Sequence, residues 1–476
     1  NLAMFEPRNF NVYESNDEDI FYINQLVYSS LFKLDKNLNI TPDVVSKYSV
    51  DTSNGEVNIS LKDNVKFSDG SDLESSDVKA SVDRIIAAES RSPYFVYASK
   101  INHIQINDSK NFTVVFNSAS DAALDNLIFP ITSAGEYKKG ESFAIGSGPY
   151  AYSGHESGKT LKLAVNKYYY DGIAKLPIVF NIVKDRSVIP GLMTMDVVTA
   201  YLNKTQDADS IAQDKKLKYK KLASGELEYL GFNHENKYCS NSKFRIAISK
   251  AIDSSKIIKY NYAGAAVTSD SIYYPNFLGA KKDDTFNFEP KKATKLLKEL
   301  KLKDRDEDGI IEDESGNPVT LRILVQNTNK QRLEAAETII ENLKQIGINA
   351  ELVSVDADSY KDKLESKQYD IYFGGIKIDK QFNLTDLYTT YNKIGFSDSK
   401  LLTQISRLEQ SLSSEEQLKQ FTAIKKSINQ DASYVPVCYK AYWFLSVDTL
   451  KNADDVSFYS PYEGAVKWQW SKRKTK

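Results

Sequence analysis

Apolar residues follow two spacings along this chain, and these spacings predict a mixture of strands and helices. The run from Val50 to Val65 alternates between apolar and polar residues and is interrupted at 53–55 by Ser-Asn-Gly, which predicts a β-hairpin. Val78, Val82 and Ile85 are spaced four and three residues apart, which is the spacing of one face of a helix. The sequence therefore predicts a protein that contains both α-helices and β-strands.

The same two patterns recur to the end of the chain. Strands are predicted at 161–165, 178–183, 228–233, 320–325, 348–355 and 435–445. Helices are predicted at 23–34, 243–259, 289–300, 332–346, 401–412 and 415–428. The strand–helix–strand succession from Thr320 to Val355 predicts an α/β unit with a right-handed crossover.

One short stretch, Tyr369 to Phe373, has the aromatic and β-branched composition of a buried strand. Gly374 and Gly375 follow it. They predict a strand end where the backbone can take a positive φ and where another backbone can approach closely.

Charged and apolar residues alternate just beyond these glycines. Lys377 and Asp379 alternate with Ile376 and Ile378, so both charges are expected on one face of the segment. A carboxylate held there could receive the ammonium group of a ligand. The alternative is an ordinary strand end whose charges face water.

Length and charge set limits on the class of protein. At 476 residues the chain is too long for one compact core, so two or three domains are expected. A net charge of −2 argues against a nucleic-acid surface or a polybasic membrane anchor. The basic residues at 472–476 are expected to form a solvated tail. No apolar run reaches the roughly 18 residues of a membrane span.

Motifs of common enzyme classes are absent from the sequence. The run Gly146–Tyr150 is glycine-rich, but no Gly-Lys-Ser/Thr follows, so a phosphate-binding loop is not favoured. There is no G-x-S-x-G, H-E-x-x-H or Walker signature. Cys239 and Cys438 do not make a disulfide framework, and whether they pair is open. The sequence therefore predicts that the protein is not an enzyme and needs no cofactor.

An acidic loop raises the question of a metal site. Asp304, Asp306 and Asp308, followed by Gly309, match the first half of a calcium-binding EF-hand loop. Its twelfth position is Ser315 instead of the bidentate glutamate, and the flanks do not read as a helix pair. An acidic hairpin turn without metal is the favoured interpretation, and a weak calcium site is the alternative.

Several segments together resemble a known family, the extracytoplasmic solute-binding proteins of ABC transporters, in the peptide/nickel class called family 5. The most specific are VKFSDGSDLESSDVKASVDRI at 65–85 and FRIAISKAIDSSKII at 244–258. The others are LVYSSLFKLD at 26–35, GSGPY at 146–150, NKYYYDG at 166–172, FEPKKATKLLKEL at 288–300, DEDGIIEDESGNP at 306–318 and YVPV at 434–437.

The resemblance implies a periplasmic-binding-protein-like α/β fold (cluster C, type II), with two lobes joined by a hinge and an inserted third domain. Lobe I would comprise residues 1–41, 146–228 and 452–476. The inserted domain would be 42–145, and lobe II would be 229–451.

The resemblance also implies where a ligand binds. In the oligopeptide-binding members an extended peptide is enclosed between the lobes, and its amine meets an aspartate just after a strand-end glycine. That glycine matches Gly375 and the aspartate matches Asp379, with the backbone of Ile376 and Lys377 between them.

Other ligand-binding positions transfer from the family one by one. Tyr94 matches a tyrosine that lines the peptide site, and Tyr360 and Lys367 match a pocket-wall tryptophan and an arginine. Lys440 stands where relatives often have an aromatic residue, and Phe373 where some have an arginine that reaches the ligand carboxylate. Ile376 replaces the tryptophan of the family motif. The partner of the ligand carboxylate, and with it the peptide length, is left open.

The function implied is that of a monomeric receptor which delivers peptides to the transmembrane subunits of an ABC permease. Such receptors lie outside the cytoplasmic membrane, held in Gram-positive bacteria by a lipidated N-terminal cysteine, and no such cysteine stands near Asn1. A start without methionine is what a processed or trimmed chain would give. The high content of Lys, Asn and Tyr residues in the sequence fits a low-GC Gram-positive source. Alternatives are the same fold binding nickel, haem or another small solute, or a peptide sensor.

Overall fold

A computed structural model describes most of the chain. The described residues are 1–51, 53–119, 123–135, 143–205, 211–213, 215–378, 385–389, 391–408 and 414–471.

Strands occur throughout the described residues and are numbered in chain order. They are β1 (Leu2–Phe5), β2 (Phe32–Leu34), β3 (Ile40–Pro42), β4 (Val45–Asp51), β5 (Glu56–Leu61), β6 (Ile101–Ile106), β7 (Asn111–Phe116), β8 (Tyr150–Glu156), β9 (Thr160–Val165), β10 (Ile178–Val183), β11 (Ala200–Asn203), β12 (Lys218–Phe232), β13 (Ala266–Val267), β14 (Thr320–Gln326), β15 (Asn349–Val355), β16 (Ile371–Lys377), β17 (Tyr434–Ser446), β18 (Leu450–Lys451) and β19 (Gln469–Trp470).

Helices lie between these strands and are named here by their ranges. The α-helices are Glu18–Val27, Ser75–Ala88, Phe95–Ala98, Ile189–Thr194, Ser242–Ala251, Ser254–Tyr260, Pro290–Glu299, Lys330–Lys344, Ala357–Glu365, Thr385–Tyr388, Ser399–Leu408 and Ser414–Asp431. Short 3-10 helices occur at Glu89–Arg91, Leu124–Leu127, Arg186–Val188, Phe277–Gly279 and Ala465–Lys467.

The described residues form five sheets, of which two are the two-stranded pairs β2-β3 and β18-β19. One four-stranded sheet has the order β1-β10-β9-β8, and a second, within residues 45–116, has the order β4-β5-β7-β6. The largest sheet has the order β11-β17-β12-β16-β14-β15, with β13 paired to β17. In it β14 runs parallel to both β15 and β16, whereas β12 runs antiparallel to β16 and β17. These sheets and the surrounding helices confirm the α/β fold class.

The predicted local patterns are largely present. The hairpin expected after Val50 forms between β4 and β5, with Gly55 in the turn at φ 70°. Helix Lys330–Lys344 connects the parallel strands β14 and β15, which confirms the strand–helix–strand unit. Its apolar stripe lies in the core, since Ala336 and Leu343 are fully buried.

Two predicted helices have different bounds from those expected. The first ends at Val27, and Phe32 to Leu34 is a strand, because Tyr28 is extended and the Gly148 amide donates to the Val27 carbonyl at 2.9 Å. The single helix predicted at 243–259 is two helices. The Asp253 side chain accepts from the Lys256 amide at 2.9 Å and so begins the second helix.

The predicted lobe division remains a prediction. Strand β12 runs from Lys218 to Phe232 and crosses the predicted boundary between residues 228 and 229, where its pairing with β17 shifts register. The large sheet also joins β11 from the predicted lobe I to β17 from the predicted lobe II. Any hinge between two such lobes would have to include these continuous strands.

Neither a disulfide bond nor a membrane-spanning helix occurs among the residues that the structure describes. Cys239 and Cys438 are both buried and free, so they do not pair with each other. Within the described part of the chain, no helix combines the length and the apolar character needed to cross a bilayer.

The turn that begins at Gly146 packs closely on the end of helix Glu18–Val27. A Cβ atom at this position would lie 2.1 Å from the Val27 carbonyl oxygen. We expect Gly146→Ala to lower the free energy of unfolding by roughly 1–3 kcal/mol, because backbone must move to admit the methyl group. Denaturant unfolding measures this.

Gly154→Ala is the matched control, since a Cβ there would meet nothing within 4 Å and the residue does not have a positive φ. Equal stability of the two variants would contradict the proposed packing.

Candidate functional site

The glycine pair of the candidate site lies inside a strand. β16 continues to Lys377, and neither Gly374 nor Gly375 has a positive φ, so the predicted strand end at these glycines is wrong. The close approach expected there does occur, but it is made by side chains. A Cβ on Gly374 would lie 2.8 Å from the Tyr372 ring, and one on Gly375 would lie 2.2 Å from Nη2 of Arg332. Glycine is thus needed for space.

Within the part of the chain that the structure describes, the second half of β16 has one edge without a partner strand, called here the open edge. β12 pairs with the strand along its full length, whereas among the described residues β14 pairs only with Ile371 and Tyr372. The Ile378 amide donates to the Gly225 carbonyl at 2.7 Å. By the alternation of an antiparallel ladder, the backbone N–H and C=O groups of Gly375 and Lys377 point away from β12, toward the open edge.

Tyr360 marks where this open edge begins. Its hydroxyl donates to the Phe373 carbonyl at 3.0 Å, so the last acceptor before Gly375 on that edge has a partner. Burial raises the pKa of Tyr360, which keeps its hydroxyl protonated as a donor. The structure therefore brings two predicted site residues, Tyr360 and Gly375, to the same edge.

A buried ion pair lies beside Gly375. Glu228 of β12 stands opposite Gly375 in the register, and its side chain is only 2% exposed. Arg332 donates to both of its carboxylate oxygens, from Nε at 2.7 Å and from Nη2 at 3.0 Å. The guanidinium also lies 5.8 Å from the centre of the Phe373 ring. Two parallel hydrogen bonds of this kind fix the orientation of the arginine.

A second, more exposed ion pair adjoins the first. Lys440 of β17 places its Nζ 3.0 Å from Glu226 and 3.5 Å from Glu228. Burial lowers the pKa of Lys440, but the nearby carboxylates of Glu228 and Glu226 outweigh it and the net pKa is raised. Lys440 is therefore a cation held against two carboxylates.

Helix Glu18–Val27 approaches the same region of the sheet. Lys204 forms an ion pair with Glu18, and its ammonium lies 5.1 Å from the centre of the Tyr442 ring. Burial raises the pKa of Glu18. The hydrogen bonds from Lys204 and Tyr22 and the charges of Lys204 and Lys377 lower it by more, so the pKa of Glu18 lies below its usual value. The end of β16 therefore lies within electrostatic reach of this helix.

Tyr94 lies in a different place. It is buried and lines a cavity of about 910 Å³ together with Phe21, Asn24 and Tyr459. A Cβ on Gly225 would lie 3.3 Å from both the Ile378 carbonyl oxygen and the Phe458 ring. Ile378, at the end of β16, and Phe458 thus both contact Gly225. Phe458 is next in sequence to Tyr459, which lines the cavity, so the end of β16 lies near this cavity.

Lys367 is not brought to the open edge. It precedes β16, whose other end carries Lys377, and its ammonium forms an ion pair with Glu235. Its proposed contact with a ligand stays a prediction. Asp379, the proposed amine partner, lies outside the described residues, and its role also stays a prediction.

The acidic loop does bring its carboxylates together. Ligand atoms of Asp304, Asp306, Asp308 and Glu312 all lie within 4.8 Å of one another. Asp304 accepts from the amides of Glu307 at 2.7 Å and Gly309 at 3.0 Å, which is how an acidic turn without metal is stabilised. The choice between such a turn and a weak calcium site stays open.

Sequence reasoning missed Glu226, Glu228 and Arg332. Glu226 and Glu228 did carry a signal, because acidic residues at alternate positions in the otherwise apolar strand GELEYLGF require partners if that face is buried. Arg332 had no such signal, because the first turn of a helix is an ordinary place for an exposed arginine.

Comparisons with known proteins agree with the fold. Residues 39–398 match the model of the bacterial extracellular solute-binding proteins, family 5 Middle. The glutathione-binding protein GsiB of Salmonella paratyphi A is 25% identical over 365 residues, 75% of this chain and 69% of that protein. The oligopeptide-binding protein AppA of Bacillus subtilis is 24% identical over 393 residues, 77% of this chain and 70% of that protein.

A solved structure extends the agreement in fold to nearly the whole chain. The nickel ABC transporter protein of Bacillus halodurans has a TM-score of 0.82 at 16% identity, and the alignment covers 96% of this chain and 97% of that one. At this identity the likeness concerns the fold alone.

The buried ion pair between Arg332 and Glu228 can be tested by substituting its two members. We expect Arg332→Met to lower the free energy of unfolding by roughly 3–5 kcal/mol, because it leaves a buried carboxylate without its main partner. Adding Glu228→Leu should recover part of that loss, since apolar pairs often replace buried ion pairs without cost. Denaturant unfolding of the unaltered protein and of these two variants measures both effects.

The control is Lys79→Met, which breaks an exposed pair with Asp83 and should change the free energy of unfolding by less than about 1 kcal/mol. An Arg332→Met variant as stable as this control would contradict the assignment.

Proposed function

Because this chain belongs to the bacterial extracellular solute-binding proteins of family 5, we propose that it captures extended peptides and delivers them to the permease of an ABC importer. The observation that carries the proposal is the open edge of β16 at Gly375 and Lys377. An extended peptide offers one N–H and one C=O per residue, and such an edge can pair with them.

This mode of binding suits a receptor for many sequences. Backbone hydrogen bonds do not depend on the side chains of the peptide, so they give affinity without strict selection. Wet pockets can then accept different side chains through bridging waters. Asp379 would fix the register by pairing with the peptide amine, the one charge that every such ligand shares.

Peptides fit the described chemistry better than a bare metal does. Nickel favours imidazole ligands, but His155 lies beside Glu6 at 3.0 Å and His234 beside Ser433 at 2.9 Å, in separate parts of the fold. The names of the relatives include a glutathione-binding protein as well as an oligopeptide-binding one, so a short or modified peptide is within the proposal. Haem or another small solute remains the alternative cargo.

The proposed setting follows the family. We place the protein on the outer face of the cytoplasmic membrane as a monomer, anchored by lipid in a Gram-positive bacterium. A receptor of this kind binds and releases its ligand unchanged, so the proposal includes no catalytic step. A peptide sensor would use the same site and differ only in its partner.

The cargo itself can be identified from the purified protein. We expect native mass spectrometry of protein as isolated to show a ladder of added masses that corresponds to a mixture of peptides. A single discrete added mass that matches a metal or haem would contradict peptide capture.

Asp379→Asn tests the amine partner. Truncating one member of a buried charged pair costs roughly 2–5 kcal/mol, so we expect peptide affinity to fall by about two to four decades. Titration calorimetry with one defined peptide measures this. Asp358→Asn, at an exposed position on helix Ala357–Glu365, is the control and should leave affinity unchanged. Unchanged affinity of Asp379→Asn would rule out the clamp.

A further inference from the structure

Strand β14 separates from β16 before β14 itself ends. The two strands pair at Ile371 and Tyr372. β14 then continues to Gln326 and stays paired with β15 as far as that residue. From Phe373 onward, no strand among the described residues covers this edge of β16.

The hydroxyl of Tyr360 occupies the first position along that edge. Tyr360 belongs to helix Ala357–Glu365, and its hydroxyl oxygen lies 3.0 Å from the Phe373 carbonyl oxygen. That carbonyl faces the open edge, by the alternation of the ladder with β12. A peptide N–H paired with the same carbonyl would place its nitrogen at about 2.9–3.0 Å. The hydroxyl thus stands close to where a paired peptide would place its backbone nitrogen, and it excludes a second chain from that position.

The pairing positions that β16 still offers are Gly375 and Lys377. Both are exposed, whereas Phe373 and Gly374 are buried. Their backbone groups point away from β12, and β16 ends at Lys377. They lie two residues apart, about 7 Å along the strand, so an extended peptide passes both of them with three of its own residues.

We propose that Tyr360 is a specificity-determining residue that ends the peptide-pairing edge, so that β16 pairs with three residues of a bound peptide and no more. The inference rests on the proposed function, since it requires a peptide bound along this edge. A tripeptide would then make every backbone hydrogen bond that β16 offers. The further residues of a longer peptide would make none with this strand, so this part of the site would bind peptides of three residues and longer alike.

This role differs from that of a pocket wall, which the family resemblance implies for Tyr360. A pocket wall packs against a side chain of the ligand, so its removal changes which side chains are preferred. A residue that ends the edge acts on the peptide backbone, and its removal leaves the Phe373 carbonyl as a further acceptor on the edge. The two roles therefore predict different effects of the same substitution.

The test is an N-methyl scan of the heptapeptide Ala-Ser-Ala-Ser-Ala-Ser-Ala with free termini, because each N-methyl group removes one backbone donor. Its amides form two alternate series of three, one for each edge of the extended peptide. Titration calorimetry measures the affinity of every methylated peptide. In the unaltered protein, we expect methylation to weaken binding about three- to tenfold at no more than two amides of the series that faces β16. In Tyr360→Ala, one further amide of that series, two residues along, should become equally sensitive, because the Phe373 carbonyl can accept from it.

Tyr260→Ala, which removes an exposed tyrosine from helix Ser254–Tyr260, is the control and should give the pattern of the unaltered protein. The same pattern in Tyr360→Ala as in the unaltered protein would overturn the inference and leave peptide capture standing. Sensitivity at all three amides of both series in the unaltered protein would do the same, and that outcome does not depend on the folding of any variant. No binding of the parent heptapeptide to the unaltered protein would overturn both the inference and the proposed function.

Discussion

Glu228 imposes the constraint on which the candidate site depends. A carboxylate that is 2% exposed is costly to bury unless other groups compensate its charge. Arg332 supplies that compensation with two hydrogen bonds, and Lys440 adds a cation at 3.5 Å. Holding Arg332 in this position places its guanidinium against Gly375. The glycine, the arginine and the shape of the open edge are therefore consequences of one buried charge.

The fold could be predicted well from the sequence, because its elements have strong local signals. The hairpin at Gly55 and the helix Lys330–Lys344 follow from patterns that span only a few residues. The first helix was placed too late in the chain because its end depends on Gly148, a residue far along the sequence whose amide caps Val27. Element bounds of this kind depend on tertiary contacts that no local pattern contains.

The site was less predictable for the same reason. The sequence and the family resemblance led to Gly375, but they assigned the glycines to a strand end. The actual reason for glycine is the room taken by Arg332, which comes from a helix more than 40 residues earlier in the chain. Glu228 is opposite Gly375 only because β12 and β16 pair in one particular register. β12 and β16 are far apart in the sequence, so which of their residues lie opposite each other is determined only when the sheet forms.

The central claim is that Gly375 and Lys377 direct their backbone groups to an edge where a peptide can pair. Amide hydrogen exchange at these two residues, with and without a bound peptide, tests this claim most directly. The account predicts that both amides exchange faster than that of Ile376 in the free protein and become protected when peptide binds. Unchanged exchange at both residues in a peptide-saturated protein would contradict it.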